Sequence, residues 1–213
     1  MRLFLASYRF GAHRDRLLTL LGTPPGRVAV IANAADAWPA SARASAVTSD
    51  IVPLQKLGFS AEEVDLREYV GRADDLAESL SGFPLLWVRG GNTFVLRAQF
   101  ARSGADVVVP ELLGADRIVY AGYSAGACVL TPSLHGLESS DNPDEVQPTC
   151  GIEPIWSGLG LVDRAIVPHW QSQFDDPAVL QRVAEGFRDK QVPFWTLTDE
   201  QVVVVDGPRV DVL

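Results

Sequence analysis

The chain has 213 residues, and 27 acidic against 18 basic side chains give it a formal charge of −9, which excludes a nucleic-acid binder because no surplus of Lys and Arg exists to neutralise phosphates. A hydrophobic share of 47% and a charged share of 21% are those of a globular protein that buries its core without staples; Cys128 and Cys150 are too few and too scattered for a disulfide framework. The apolar stretch before Arg9 is short and no run of about 18 apolar residues follows, so the expectation is one cytoplasmic domain over residues 1–213, with no membrane association.

In chain order, the pattern predicts a strand over 3–8 and an arginine-rich helix over 15–21, ended by Thr23-Pro24-Pro25-Gly26. Residues 27–32 form a β-branched apolar run of the kind buried on both faces of a sheet. A long helix is expected over 41–57, with Pro53 inside it, then an alternating strand over 61–66 and a helix over 74–80. Another buried strand, 85–88, leads through Arg89-Gly90-Gly91-Asn92 to a helix that Thr93 can cap and that runs towards residue 101. A helix over 105–113 precedes the apolar strand that feeds Gly122-Tyr123-Ser124-Ala125-Gly126. Residues 132–157 are polar and poorly periodic, and a loop of that length inside a compact domain suits an active-site cover. The short strand 164–167 ends at Pro168-His169-Trp170, an amphipathic helix follows over 177–188, and strands over 194–197, 201–205 and 209–213 close the chain, the last two joined by an Asp206-Gly207 turn. Strands alternating with helices imply a doubly wound α/β fold: a mostly parallel sheet with helices on both faces and ligands beyond the carboxyl ends of the strands.

Ser124, Gly90-Gly91 and His169 each fall just after a predicted strand. Gly-x-Ser-x-Gly between a buried strand and a small-residue helix is the context of a nucleophile elbow, in which a tight turn exposes the serine oxygen. A serine nucleophile needs a general base, and of the three histidines only His169 stands at a strand end; His13 and His135 lie in irregular segments. The group that orients the imidazole stays open among Asp141, Asp144, Asp163, Asp199 and Glu200. The backbone N–H of Ala125 and one from Gly90-Gly91-Asn92 suit an oxyanion hole, glycine permitting close approach. No metal-ligand spacing and no phosphate-binding glycine loop is present, so no cofactor is expected.

Taken together, Arg89-Gly90-Gly91-Asn92-Thr93-Phe94, Gly122-Tyr123-Ser124-Ala125-Gly126-Ala127, and Gly158-Leu159-Gly160-Leu161 leading to Val167-Pro168-His169-Trp170 resemble the peptidase E (aspartyl dipeptidase) family, over nearly the whole chain and in the same order. The resemblance implies a fold similar to the class I glutamine amidotransferases, a flavodoxin-like three-layer arrangement with serine in place of their cysteine. It implies hydrolysis of small peptides, including those with N-terminal Asp, through an acyl-enzyme and without a cofactor. Ser124 then corresponds to the nucleophile, His169 to the base, Asp199 or Glu200 to the acid, and Gly91 and Ala125 to the oxyanion hole. Gly90, Asn92 and Asp141 correspond to substrate-binding positions. The family's segment after the histidine is longer and carries an arginine that reads the substrate's aspartate. Here residues 170–176 are short and acidic, leaving Arg89 and Arg182 as the candidate cations.

Two rival readings follow. Ser124, Asp163 and His169 also occur in the order of an α/β-hydrolase-type esterase, and a non-catalytic amidotransferase-like protein binding a small molecule or a partner would keep the fold without the chemistry. The expected partner is a small peptide substrate, and an isologous homodimer is the default assembly.

Overall fold

A computed structural model describes residues 1–173 and 176–213. Among these, strand β1 (Arg2–Ala6) leads to helix α1 (Arg14–Leu21), β2 (Arg27–Ile31), α2 (Ala40–Lys56) and β3 (Ser60–Glu63). Helix α3 (Ala73–Ser81), β4 (Leu85–Val88), α4 (Thr93–Ser103), α5 (Ala105–Gly114) and β5 (Val119–Tyr123) follow. The second half comprises α6 (Ala125–Cys128), α7 (Val146–Cys150), β6 (Ala165–Val167), α8 (Pro177–Asp189), β7 (Phe194–Thr196), β8 (Val202–Asp206) and β9 (Arg209–Val212).

Seven strands form one sheet in the order β3-β2-β4-β5-β1-β8-β9. The first five are mutually parallel; β8 runs antiparallel to both β1 and β9. The period-2 alternation of a strand divides the core in two. Leu3, Leu5, Ile31, Val88, Tyr120 and Val203 face the side packed by α3 to α8, whereas Phe4, Val28, Val30, Trp87, Val119 and Val204 face α1 and α2. The doubly wound reading therefore holds, and the continuous apolar runs are those of strands covered on both faces.

The strand before His169 departs from expectation. β6 pairs only with β7, in parallel and apart from the main sheet, with Ala165 opposite Phe194 and Val167 opposite Thr196. A second difference concerns α4. Asn92, not Thr93, is its cap, because Asn92 Oδ1 accepts from the N–H groups of Phe94 (2.9 Å) and Val95 (3.1 Å). The polar stretch 132–157 is not wholly irregular, since it holds α7 and single 3-10 turns at Leu137–Ser139 and Pro143–Glu145. Helix α8 begins at Pro177, where the sequence predicts it, and Asp176 caps it by accepting from Ala178 N–H at 2.9 Å. The short acidic stretch 170–176 includes Phe174 and Asp175, which lie outside the described residues.

Candidate active site

The site is assembled at the carboxyl ends of β4 and β5. From Ile118 to Thr131 every residue is buried except Ser124, which is part exposed. The turn that presents it is strained, with φ 50° and ψ −117° on a non-glycine residue. Two close approaches hold the strain. A Cβ on Gly122 would lie 2.4 Å from the carbonyl oxygen of Gly126, and one on Gly126 would lie 2.1 Å from that of Val88. Tyr120 Oη donates to the Gly126 carbonyl at 2.6 Å, and the N–H groups of Ala127 and Cys128 both donate to the Ser124 carbonyl at 2.9 Å. The turn is thus fixed from strand, helix and neighbouring loop.

His169 leaves β6 with φ 57°. Its N–H donates to Ser7 Oγ at 2.7 Å, and its Nδ1 lies 2.7 Å from Asp199 Oδ1. Ser7 Oγ in turn donates to the same Asp199 oxygen at 3.2 Å. Partial burial pushes the Asp199 carboxyl up, but hydrogen bonds from Ser172, His169 and Ser7 together with the nearby imidazole outweigh it and hold the group below the usual carboxylate range. Of the acids left open by the sequence, Asp199 is the one at the imidazole. Glu200 is exposed, and its carbonyl oxygen accepts from Ala12 N–H. Asp163 is 84% exposed, lies 3.7 Å from Arg164 and lines a different cavity, so the esterase order Ser124, Asp163, His169 does not come together in space.

Ser124 and His169 line one cavity of about 270 Å³, together with Gly90, Gly91, Ala125 and Asp141. Among the described residues, the N–H groups of Gly91 and Ala125 donate to no protein acceptor. Gly90 packs so closely that a Cβ there would lie 2.9 Å from Ser124 Cβ. Asp141 lines the same cavity. Its Oδ2 accepts from Thr93 N–H (2.9 Å) and Thr93 Oγ1 (2.5 Å), and burial pushes its carboxyl up despite those bonds. Asn92 reaches the same loop rather than the cavity: its Nδ2 donates to the Asn142 carbonyl (2.8 Å) and to Glu145 Oε2 (2.9 Å).

The two candidate cations fare differently. Arg89 lines the cavity, but its Nη1 is paired with the fully buried Asp50 at 3.0 Å and its Nε donates to the Gly90 carbonyl at 2.9 Å. Arg182 is exposed on α8 and takes no part in the cavity wall, to which that helix contributes Leu180 and Val183. The thiol of Cys128 also borders the cavity, yet burial foremost and then Asp141 push it far up, towards the inert neutral form.

Sequence reasoning missed Ser7, Asp50, Thr93 and Tyr123. Ser7 did carry a signal, a polar residue near the end of an otherwise apolar strand. Asp50 carried none, since an acid within a helix reads as solvated. Neither His13 nor His135 approaches the cavity; His135 stacks on Trp156 with ring centroids 4.6 Å apart.

A serine on a strained strand-to-helix turn, an imidazole held by a carboxylate, and two free amides converge on one cavity in a three-layer α/β fold, the layout of a hydrolase. The chain belongs to peptidase family S51, whose model matches residues 12–213. It is 32% identical over 157 residues to an uncharacterized peptidase of Listeria innocua, Lin0382, covering 74% of this chain and 71% of that one. An uncharacterized peptidase of Pasteurella multocida, PM1590, is 24% identical over 70% of this chain and 68% of its own. Among solved structures, a Listeria monocytogenes EGD-e protein provisionally assigned as peptidase E superposes with a TM-score of 0.79 at 23% identity, covering 100% of this chain and 97% of that one. A peptidase from an acI-B1 Actinobacterium gives 0.70 at 14% identity, with coverage of 100% and 86%. The peptidase E resemblance of the three sequence motifs and the three-layer fold agree with these relatives. Among the described residues no helix is long and apolar enough to cross a membrane.

Proposed function

We propose that the protein is a serine peptidase cleaving dipeptides or other short peptides with a free amino terminus. The observation that carries this reading is the shared cavity, into which the strained Ser124 and the Asp199-held His169 both open. Ser124 Oγ attacks the scissile carbonyl carbon while the imidazole takes its proton, and Asp199 holds the ring through Nδ1 and stabilises the positive charge that forms. The N–H groups of Gly91 and Ala125 receive the developing oxyanion. The imidazolium then protonates the leaving amine, the peptide C–N bond breaks, and water delivered through the same base releases the acyl group from Ser124.

Asp141 supports the free-amine requirement. Its Oδ2 is fully engaged by Thr93, whereas its Oδ1 has no protein partner among the described residues, which suits a substrate ammonium. The same charge balance argues against an acidic first side chain. Arg89 is neutralised by Asp50 and Arg182 lies elsewhere, so a substrate aspartate would meet Asp141 without a cation to offset it. A small neutral residue is the better fit to the apolar wall of Leu137, Val167, Leu180 and Val183.

The test is hydrolysis of Ala-Leu, Asp-Leu, Leu-Asp, β-Asp-Leu and N-acetyl-Ala-Leu by wild type and Ser124→Ala. Ala-Leu should be cleaved best and the acetylated peptide poorly. Ser124→Ala should lose on the order of 10⁴- to 10⁶-fold in kcat. Equal cleavage by the alanine variant would remove the serine mechanism, and a preference for Asp-Leu would remove the charge argument. Silence on peptides with turnover of short acyl esters would favour an esterase, and silence on both a binding protein.

A further inference from the structure

The two amides offered to the oxyanion are held in different ways. That of Ala125 opens α6, and its direction is set by the Ser124 backbone and the helical bonds that follow. That of Gly91 belongs to a peptide joining two glycines. The chain is anchored on either side of it, by Arg89 N–H to the Ile31 carbonyl (3.1 Å) and by Asn92 N–H to the Ala34 carbonyl (2.9 Å). Between those anchors neither glycine has a Cβ to fix the orientation of the peptide that joins them, so its N–H and C=O directions depend on what that peptide is hydrogen-bonded to.

One hydrogen bond in the structure selects between them. Arg89 Nε donates to the Gly90 carbonyl at 2.9 Å, in a buried setting. In a planar trans peptide the C=O of one residue and the N–H of the next point in opposite directions. Holding the Gly90 oxygen therefore fixes the Gly91 N–H. The guanidinium is itself immobile: Nη1 is 3.0 Å from Asp50 Oδ2, Tyr123 Oη donates to Asp50 Oδ1 at 3.0 Å, and the Trp38 ring lies 5.4 Å from the Arg89 Cζ.

We propose that Arg89 is a positioning residue for the oxyanion hole: Asp50 locks its guanidinium, and its Nε locks the Gly90–Gly91 peptide so that the Gly91 N–H faces the developing oxyanion. This rests on the serine-peptidase reading above. It assigns the arginine of Arg89-Gly90-Gly91 to the enzyme's own backbone rather than to an acidic group on the substrate, and it explains why a buried carboxylate is paired with Arg89.

The experiment compares wild type, Arg89→Lys, and the double variant Asp50→Asn/Arg89→Met, which removes both buried charges together so that neither is left unpaired. Folding is checked by thermal melting, and each protein is assayed for kcat and KM on its best dipeptide and for affinity towards the matching peptide aldehyde. The hemiacetal oxygen of that adduct occupies the oxyanion position. The double variant should lose about 10²-fold or more in kcat, the size expected for one misplaced oxyanion donor, with KM little changed. Aldehyde affinity should fall by the same factor, because both report the tetrahedral state. Arg89→Lys keeps a charge opposite Asp50 but has no Nε donor, and it should be as slow as the double variant.

The proposal is overturned if lysine restores the wild-type kcat, if KM rises while kcat holds, or if the folded double variant matches wild type in both kcat and aldehyde affinity. Labelling of Ser124 by a fluorophosphonate separates this failure from the wider one. A wild type that is labelled and active beside equally active variants sinks only the role of Arg89; a wild type neither labelled nor active sinks the peptidase reading with it.

Discussion

Replacing Asp199 with Asn tests the hydrogen-bond geometry around His169 more sharply than replacing it with Ala. An amide can disable such a site by turning its NH₂ towards Nδ1, which forces the wrong imidazole tautomer and costs about 10⁴-fold in kcat in the best-studied triad. Here the carboxylate oxygen that faces Nδ1 also accepts from Ser7 Oγ, whose own oxygen accepts from His169 N–H; reversing the Ser7 bond would take its second lone pair and leave the hydroxyl proton to find another acceptor. Two donors thus favour an oxygen at that position, and the amide NH₂ is expected on the other side. The tautomer survives and only the charge is lost. With charge centres about 4 Å apart and an effective dielectric near 20, that loss is about 4 kcal/mol, or about 10³-fold in kcat/KM. Ser7→Ala alone should cost about tenfold or less, the scale of one neutral hydrogen bond. The double variant should fall below the product of the two singles, because without Ser7 the amide is free to flip. Steady-state kinetics of the four proteins, closed as a double-mutant cycle, measures the coupling. Strictly additive losses, or Asp199→Asn within tenfold of wild type, would refute the reasoning.

Three further outcomes follow from other parts of the site. Burial raises the Asp141 carboxyl, so it gains a proton at a higher pH than an ordinary Asp; as pH falls through that value, KM for unblocked dipeptides should rise, and the rise should vanish in Asp141→Asn. The sign for stability is the reverse: the folded state binds this proton more readily than the unfolded state, so wild type should gain on Asp141→Asn as pH falls through the raised value towards that of an ordinary Asp, read by parallel melts. Gly126→Ala would press a Cβ to 2.1 Å from the Val88 carbonyl, and backbone on both sides leaves no side chain to yield; a loss of about 1–3 kcal/mol and a Tm drop of several degrees are expected by calorimetry. Cys128 is buried and its thiol is pushed far up, so iodoacetamide should leave activity intact under native conditions.

What the sequence made legible was whatever repeats with a period or is punctuated by a turn. Residues 27–32 and 85–88 read as strands because each is a continuous apolar run, and 177–188 read as a helix because the stretch is amphipathic. The partners of such elements are less legible. Residues 164–167 look like any other buried strand, and nothing in them says that β6 joins β7 rather than the seven-stranded sheet. The cap of α4 was misplaced by one residue because Asn92 and Thr93 are both good caps, and only the loop carrying Asp141 decides between them, by occupying Thr93. At the site, Ser124 and His169 are visible as strand-end residues, whereas the choice of Asp199 over its neighbour Glu200 depends on which side chain a turn points inward. Asp50 could not be found at all, since its meaning comes from Arg89 and Tyr123, 39 and 73 residues away.

The placement of β6 outside the main sheet has a mechanical consequence. Ser124 and the Gly91 amide ride on β5 and β4 at the centre of the large sheet, while His169 leaves the two-stranded sheet of β6 and β7, and Asp199 follows β7. Nucleophile and base therefore belong to separately hydrogen-bonded units, and their separation is set by whatever joins those units. One polar joint between them is Ser7, fully buried at the end of β1. Its N–H donates to the Gln201 carbonyl at 3.2 Å, and its hydroxyl accepts from His169 N–H and donates to Asp199. β1 also pairs with β5, so that Ala6 lies opposite Tyr123 and the Ala6 carbonyl accepts from Ser124 N–H at 3.1 Å. Residues 6 and 7 thus grip the nucleophile's backbone with one and the base's backbone with the other. A productive approach of reacting atoms tolerates errors well under 1 Å. Two adjacent residues of one buried strand end supply that tolerance in a way that two sheets meeting only through apolar side chains would not.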